Sequence, residues 1–326
     1  MNPETENLVL EGGGARGLAY AGVLERLPLY VDMNRLRRYA GTSAGAIVAF
    51  LLSIGCPPVR LKLLMEEFNR DIVCPRQGPL RRLWNLRKGY GWYSTQRLRE
   101  WLSEILIEQI PEVLTHRQFA LMEKLVQITG HHLYVVAFNA KAGKPQYFSG
   151  MDTPTYSAVE AVIHSMSIPG YFSAPMSQAL QGIPSTRYTD GGLVMNYPIS
   201  LFDTWQDGER LANTATLGVR LDSSAEIEAI QAWRTDPGQD KQTAGDMSAK
   251  SFVFAHLNAL INRASSAHLS EKDWRRTIFV DCGHVGSLDF DLSAAEKEFL
   301  YESGQIAVEE FFAGRHPAGR HSAKTN

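Results

Sequence analysis

Three stretches of this chain combine residue types that can carry out chemistry on an acyl group. The first is Gly41-Thr42-Ser43-Ala44-Gly45. A hydroxyl nucleophile must project from the backbone toward its substrate, and a sharp strand-to-helix turn does this when its neighbours are small. At a helix N-terminus Ser43 also meets free N–H groups and a dipole that favour developing negative charge. The same five residues are equally compatible with a Gly/Ser-rich turn in which Ser43 merely caps the helix. The second stretch is Gly12-Gly13-Gly14-Ala15-Arg16-Gly17, a loop able to aim several N–H groups at one anion, either a phosphate or the oxyanion of an acyl-transfer intermediate. It also fits the dinucleotide spacing Gly12-x-Gly14-x-x-Gly17, with Asp32 placed where that fold uses an acid against a ribose. The third is Asp190-Gly191-Gly192. A carboxylate can take the proton of a serine within hydrogen-bond reach, although Asp-Gly-Gly by itself is ordinary turn chemistry.

Each of these stretches needs an element to position it. Leu8-Val9-Leu10 reads as a short buried strand before the first glycine loop, and Leu18 to Leu27 has helical apolar spacing after it. Arg38-Tyr39-Ala40 leads into the Ser43 turn. Ala46 to Ile54 reads as a helix apolar on all sides, stopped by Gly55 and Pro57-Pro58. Arg187 to Thr189 leads into Asp190. Strands are expected at Leu125 to Thr129, Leu133 to Phe138, Gln146 to Phe148, Thr216 to Leu221 and Thr277 to Asp281. Helices are expected at Ala158 to Ser167, Ala249 to Ala264 and Ala294 to Phe312. Thr235 to Asp246 is polar and reads as a loop, and His316 to Asn326 as a loose tail. The alternation of strands and helices gives an α/β fold. With no internal repeat and no obvious linker, residues 1–313 read as one domain and 314–326 as the tail.

Composition narrows the classes. The chain has 326 residues, 44% apolar and 21% charged, with 33 Lys+Arg against 35 Asp+Glu. That supports a sizeable core and argues against disorder or a dedicated nucleic-acid coat. Cys56, Cys74 and Cys282 form neither a disulfide framework nor a zinc spacing, which points to a reducing compartment. Met1 to Asn7 lacks the basic start of a signal peptide, and the apolar run Ala44 to Cys56 falls short of the ~20 residues that span a bilayer. A soluble cytoplasmic protein is the expectation, with peripheral membrane association or export without a cleaved signal left open.

Taken together and in this order, the three motifs resemble the patatin-like phospholipase family. Ile168-Pro169-Gly170-Tyr171-Phe172-Ser173-Ala174-Pro175 and Asp190-Gly191-Gly192-Leu193-Val194-Met195-Asn196-Tyr197-Pro198 extend the likeness, so that it covers roughly Leu8 to Pro198. The resemblance implies a three-layer α/β/α fold around a mainly parallel sheet. It also implies a phospholipase A or lysophospholipase type of ester hydrolysis. In that reading Ser43 is the nucleophile, Asp190 the base, and Gly41 and Gly45 flank the nucleophile elbow. Gly12, Gly13, Gly14, Ala15, Arg16 and Gly17 form the oxyanion loop, with Arg16 supporting it, and Gly191 and Gly192 complete the aspartate motif. It implies no metal and no organic cofactor, and it leaves room for an activating protein partner.

Other readings stand beside this one. A Ser-Asp-His triad of the α/β-hydrolase type would need His256, His268 or His284, none of which sits in a motif. An acyl-carrier transferase typically carries His immediately before the serine, where this chain has Thr42. An esterase or thioesterase acting on soluble acyl groups, a nucleotide-binding protein using Gly12 to Gly17, and an inactive interaction module complete the set. Finally, Pro75 to Arg99 holds seven Lys/Arg, no acid and four aromatics. Its glycines and prolines read as a loop in the first part, with Ser94 or Thr95 capping a helix to about Gln109. Trp with Arg suits a phospholipid surface, which makes Arg81, Arg82, Trp84 and Trp92 candidate contacts; a solvated basic face is the plain alternative.

Overall fold

A computed structural model describes residues 4–68, 70–74, 77–116, 120–177, 185–228 and 269–315. The stretches expected as a polar loop at 235–246, a helix at 249–264 and a tail from 316 lie outside the described residues, as do His256 and His268. The strands are β1 (Asn7–Leu10), β2 (Arg38–Thr42), β3 (Gly91–Tyr93), β4 (His132–Asn139), β5 (Lys144–Ser149), β6 (Gly170–Phe172), β7 (Tyr188–Asp190), β8 (Thr204–Gln206), β9 (Glu209–Leu211), β10 (Thr216–Asp222) and β11 (Thr277–Asp281). Seven of them build one sheet in the order β11-β10-β1-β2-β4-β5, with β7 also on β4. The pairs from β11 through β4 are parallel, while β5 and β7 run antiparallel to β4.

The α-helices among the described residues are α1 (Ala19–Arg26), α2 (Ala44–Ser53), α3 (Pro58–Glu67), α4 (Arg70–Val73), α5 (Pro79–Gly89), α6 (Gln96–Gln109), α7 (Met122–Thr129), α8 (Ala158–Ser165), α9 (Gly192–Met195), α10 (Glu271–Trp274) and a closing helix at Ala294–Phe312. The sheet is flanked by helices, the three-layer α/β/α arrangement. Strand alternation divides the core. Leu8, Leu10, Tyr39, Leu133 and Val135 face a large cluster built with α1, α2, α3, α6 and α8. Val9 and Ala40 face a smaller one with Tyr197 and Ile199 from the segment after Asp190. Helix α2 is buried along its whole length, so Ile47, Phe50 and Leu51 each contribute roughly 1.5–3 kcal/mol of apolar burial.

Two expectations are corrected. Leu125 to Thr129 belongs to helix α7, not to a strand: Met122 and Leu125, three residues apart, turn inward, and Gly130 ends the helix with φ 71°. The β-branched Val126, Ile128 and Thr129 mimic a strand because local propensity is weak against packing. The first part of the Pro75–Arg99 segment is helix α5 rather than a loop. Its apparent breakers sit at its ends, with Pro79 at the first turn and the chain leaving Gly89 through Tyr90 in the left-handed region.

Candidate active site

Sheet register explains how the three motifs meet. Strand β2 pairs with β4 up to Thr42 opposite Val136. Strand β5 occupies the other edge of β4, so β7 continues along the β2 edge, where Asp190 stands opposite Ala137. Ser43, the residue after Thr42, is thereby brought to Asp190 across 147 positions of sequence. Its Oγ donates to Asp190 Oδ2 at 2.7 Å. On the other side, β1 pairs with β2 with Leu10 opposite Gly41, which delivers the first glycine loop to the same end of the sheet.

Ser43 sits in the left-handed region at φ 52°, a strained position for a residue with a Cβ. Its N–H donates to Ser165 Oγ at 2.8 Å, and that hydroxyl in turn donates to Val136 C=O at 2.5 Å. The Ser165 side chain therefore ties the turn to the middle of β4. Helix α2 starts hard against β1: a Cβ on Gly45 would lie 2.3 Å from the Leu10 carbonyl oxygen. Only glycine permits that approach, and it leaves Ser43 at the helix start with Met166 Sδ 3.6 Å from its Oγ.

Asp190 is buried beside Ser43 and has no cation within bonding reach among the described residues. Burial pushes its carboxyl up to about 6, against the opposing hydrogen bonds from Ser43 and from the Gly192 N–H, the latter at 2.7 Å to Oδ1. The Asp190 N–H is held by the Ser167 carbonyl at 2.9 Å.

The glycine loop is not uniformly available to an oxyanion. Gly12 N–H donates to Asn196 C=O at 3.1 Å, Ala15 N–H to Ser287 C=O at 2.9 Å, and Arg16 N–H to Gly13 C=O at 3.1 Å. The N–H groups of Gly13 and Gly14 make no hydrogen bond among the described residues. Arg16 ties down the loop rather than the reacting atoms: Nε donates to Val285 C=O at 2.7 Å, and Nη1 reaches Glu226 at 3.0 Å. Gly17 faces Ala44, Gly191 lies against Val136, and Gly192 lies beside Asn196 and Asp190.

Several residues of the site were not singled out from sequence. The Asn196 amide donates to Glu11 Oε1 at 3.2 Å and to Gly12 C=O at 2.9 Å, while Glu11 Oε2 accepts from the Leu221 N–H at 2.8 Å. Buried Glu11 and Asn196 thus lock the glycine loop to the segment after Asp190. Their position directly after the strand and within the Asp190–Pro198 stretch was the available signal. Ser165 and Met166 gave none, since a buried helix end needs no serine.

The remaining candidates stand apart. His284 is exposed, with Nε2 3.6 Å from Glu296. Buried His164 bonds the Tyr156 hydroxyl at 2.8 Å, and burial pushes its imidazole down to about 4. Neither touches Ser43. Asp32, the acid a dinucleotide fold would use, accepts from the Asn34 N–H and caps a short turn. The Thr42 hydroxyl donates to Met195 C=O at 2.9 Å. Helix α5 and strand β3 carry the surface candidates: Arg81 and Trp84 on α5 and Trp92 on β3 are exposed, while Arg82 of α5 is half-buried with its guanidinium 5.4 Å from the Tyr93 ring centre.

Buried Ser43, hydrogen-bonded to buried Asp190, thus stands at the same end of the sheet as the glycine loop, whose Gly13 and Gly14 N–H groups have no acceptor among the described residues. The model of the patatin-like phospholipase family matches residues 8–203, and the chain belongs to that family. Among curated proteins, an uncharacterised protein of Acanthamoeba polyphaga mimivirus is 26% identical over 310 residues, 94% of this chain and 93% of that one. A probable lipid hydrolase of Invertebrate iridescent virus 6 is 28% identical over 199 residues, 60% of this chain and 62% of that one. Among solved structures, VipD from Legionella pneumophila superposes with a TM-score of 0.60 at 16% identity, covering 96% of this chain and 67% of that chain, a likeness of fold.

Proposed function

We propose that this protein is a serine acyl hydrolase of the phospholipase A or lysophospholipase type, cleaving carboxylic esters of phospholipids through an acyl-enzyme on Ser43 with Asp190 as the base. The single observation that carries the reading is the 2.7 Å hydrogen bond from Ser43 Oγ to a buried carboxylate that no cation among the described residues neutralises. At neutral pH a carboxyl near 6 is mostly ionised and can accept the serine proton, yet once protonated it is acidic enough to return that proton.

In acylation the Asp190 carboxylate takes the Oγ proton as Oγ bonds to the acyl carbon. The developing oxyanion is met by the N–H groups of Gly13 and Gly14, which no acceptor among the described residues competes for. Collapse breaks the ester C–O bond, and the departing alkoxide takes the proton from Asp190. In deacylation Asp190 removes a proton from water, the hydroxide attacks the acyl carbon, and Ser43 leaves with that proton. Ser165 holds the serine backbone in its strained turn throughout. Family membership and the viral relative described as a probable lipid hydrolase support the acyl-lipid substrate class.

Hydrolysis of a short soluble ester and of lysophosphatidylcholine micelles tests the reading. Ser43→Ala and Asp190→Asn each lower kcat/KM by about a thousandfold or more, while His256→Ala, His268→Ala and His284→Ala stay within a few-fold of the parent. An active Asp190→Asn protein alongside a dead histidine variant would overturn the dyad.

A further inference from the structure

Helix α5 is built inside out. Its buried positions are the polar Asn85 and Gly89, with Arg82 and Leu86 half-buried, while Leu80, Leu83 and Trp84 are 83%, 64% and 59% exposed. These three lie at i, i+3 and i+4, one stripe of a helix. The inversion is held in place, because the Asn85 amide donates to Gln77 Oε1 at 2.7 Å and to Trp92 C=O at 3.3 Å. Arg81, Arg87 and Lys88 are exposed around the stripe, and Tyr90 and Trp92 extend it beyond the helix. The helix carries four cations and no acid. An apolar stripe on a helix whose own charged residues are all cations is complementary to an anionic surface with an oily interior.

The ridge is fixed to the frame of the catalytic site. Strand β3 pairs with β6, and the Ala174 N–H donates to Gly89 C=O at 2.9 Å. The Arg187 guanidinium donates to Lys88 C=O at 3.0 Å and lies 5.1 Å from the Tyr90 ring centre. Residue 170 follows Met166 by four positions, and Arg187 precedes Asp190 by three. Tyr171 and Phe172 of β6 share an apolar cluster with Ala15 of the glycine loop. Both ends of the support under α5 therefore run into the residues around Ser43.

We infer that α5 with Tyr90 and Trp92 is a docking ridge for an anionic phospholipid bilayer. Leu80, Leu83 and Trp84 enter the acyl boundary, and Arg81, Arg87 and Lys88 meet lipid phosphates. Arg82, held over Tyr93, belongs to the protein side of the ridge. This deepens the lipid-hydrolase reading by naming the form in which the lipid is met.

The test is co-sedimentation of the full chain carrying Ser43→Ala, which keeps vesicles intact, with phosphatidylcholine vesicles with and without phosphatidylglycerol. The protein should bind the phosphatidylglycerol vesicles. Leu80→Asp/Leu83→Asp/Trp84→Asp should lower the bound fraction by about tenfold or more. Arg81→Glu/Arg87→Glu/Lys88→Glu should remove the preference for phosphatidylglycerol. With Ser43 restored, both surface variants should hydrolyse a short soluble ester at the parent rate, which establishes that they fold. Loss of ester hydrolysis in every form, with vesicle binding intact, would sink the enzymatic reading and leave the ridge standing. Equal vesicle binding by parent and apolar variant overturns the ridge. So does a self-association that the apolar variant abolishes while no vesicle is bound, which would make a second copy of this chain the occupant.

Discussion

Helices α2 and α5 are of similar length, yet they solve opposite problems. Helix α2 is apolar on every side and buried on every side, and packing fixes it so tightly that its first turn admits no Cβ at Gly45. Helix α5 presents Leu80, Leu83 and Trp84 to solvent and turns Asn85 inward. The first anchors what the proposed mechanism requires to be pre-organised: a strained serine, a desolvated carboxylate and the Gly13 and Gly14 N–H groups, which have no acceptor among the described residues. The second is unfinished surface, whose apolar stripe gains nothing until something covers it. Rigidity is concentrated where the proposed chemistry needs geometry, and exposed apolar area where lipid would have to be reached.

That contrast can be broken by like-sized edits on the two helices. Gly45→Ala adds one methyl group where the Leu10 carbonyl already stands, and should cost about 3 kcal/mol of stability in urea unfolding, with a matching loss of ester hydrolysis. Leu83→Ser, in an exposed position, should leave stability within about 0.5 kcal/mol of the parent. Equal losses at both sites would mean that α5 is packed against something and is no free ridge.

A smaller effect sharpens the serine side. Ser165→Ala removes the acceptor of the Ser43 N–H and should lower kcat about tenfold with KM little changed, because an unsatisfied buried donor loosens the turn and not the substrate contacts. Ser165→Thr, which keeps the hydroxyl, should recover most of the rate. A rise in KM alone would place Ser165 in substrate binding instead.

The sequence made part of this legible. Ser43 and Asp190 stood out because each sits at a strand end beside glycines, and strands such as Thr277–Asp281 and the closing helix Ala294–Phe312 followed from periodicity and capping alone. What joins serine to aspartate was not readable. Strand β7 has three residues, and its place along the β2 edge of β4 is decided by β5 occupying the other edge. The acceptors that occupy the Gly12 and Ala15 N–H groups come from Asn196 and Ser287, distant in sequence, so no local pattern could separate them from Gly13 and Gly14. Helix α5 was missed for a related reason. Its glycines and prolines looked like breakers, and its apolar residues face outward against the usual rule, so the pattern that normally reveals a helix spoke against one.

The central claim is that buried Asp190 activates Ser43 without a histidine. The measurement closest to it is the rate at which a fluorophosphonate labels Ser43 as a function of pH, with the modified residue located by peptide mass. Burial holds the Asp190 carboxyl up at about 6. Below that value it is protonated and cannot take the serine proton, and above it the carboxylate is free to do so. Labelling should rise with pH through about 6 in the parent, stay unchanged in His284→Ala, and be slow and flat in Asp190→Asn. A rise that persists in Asp190→Asn, or label found on a residue other than Ser43, would contradict it.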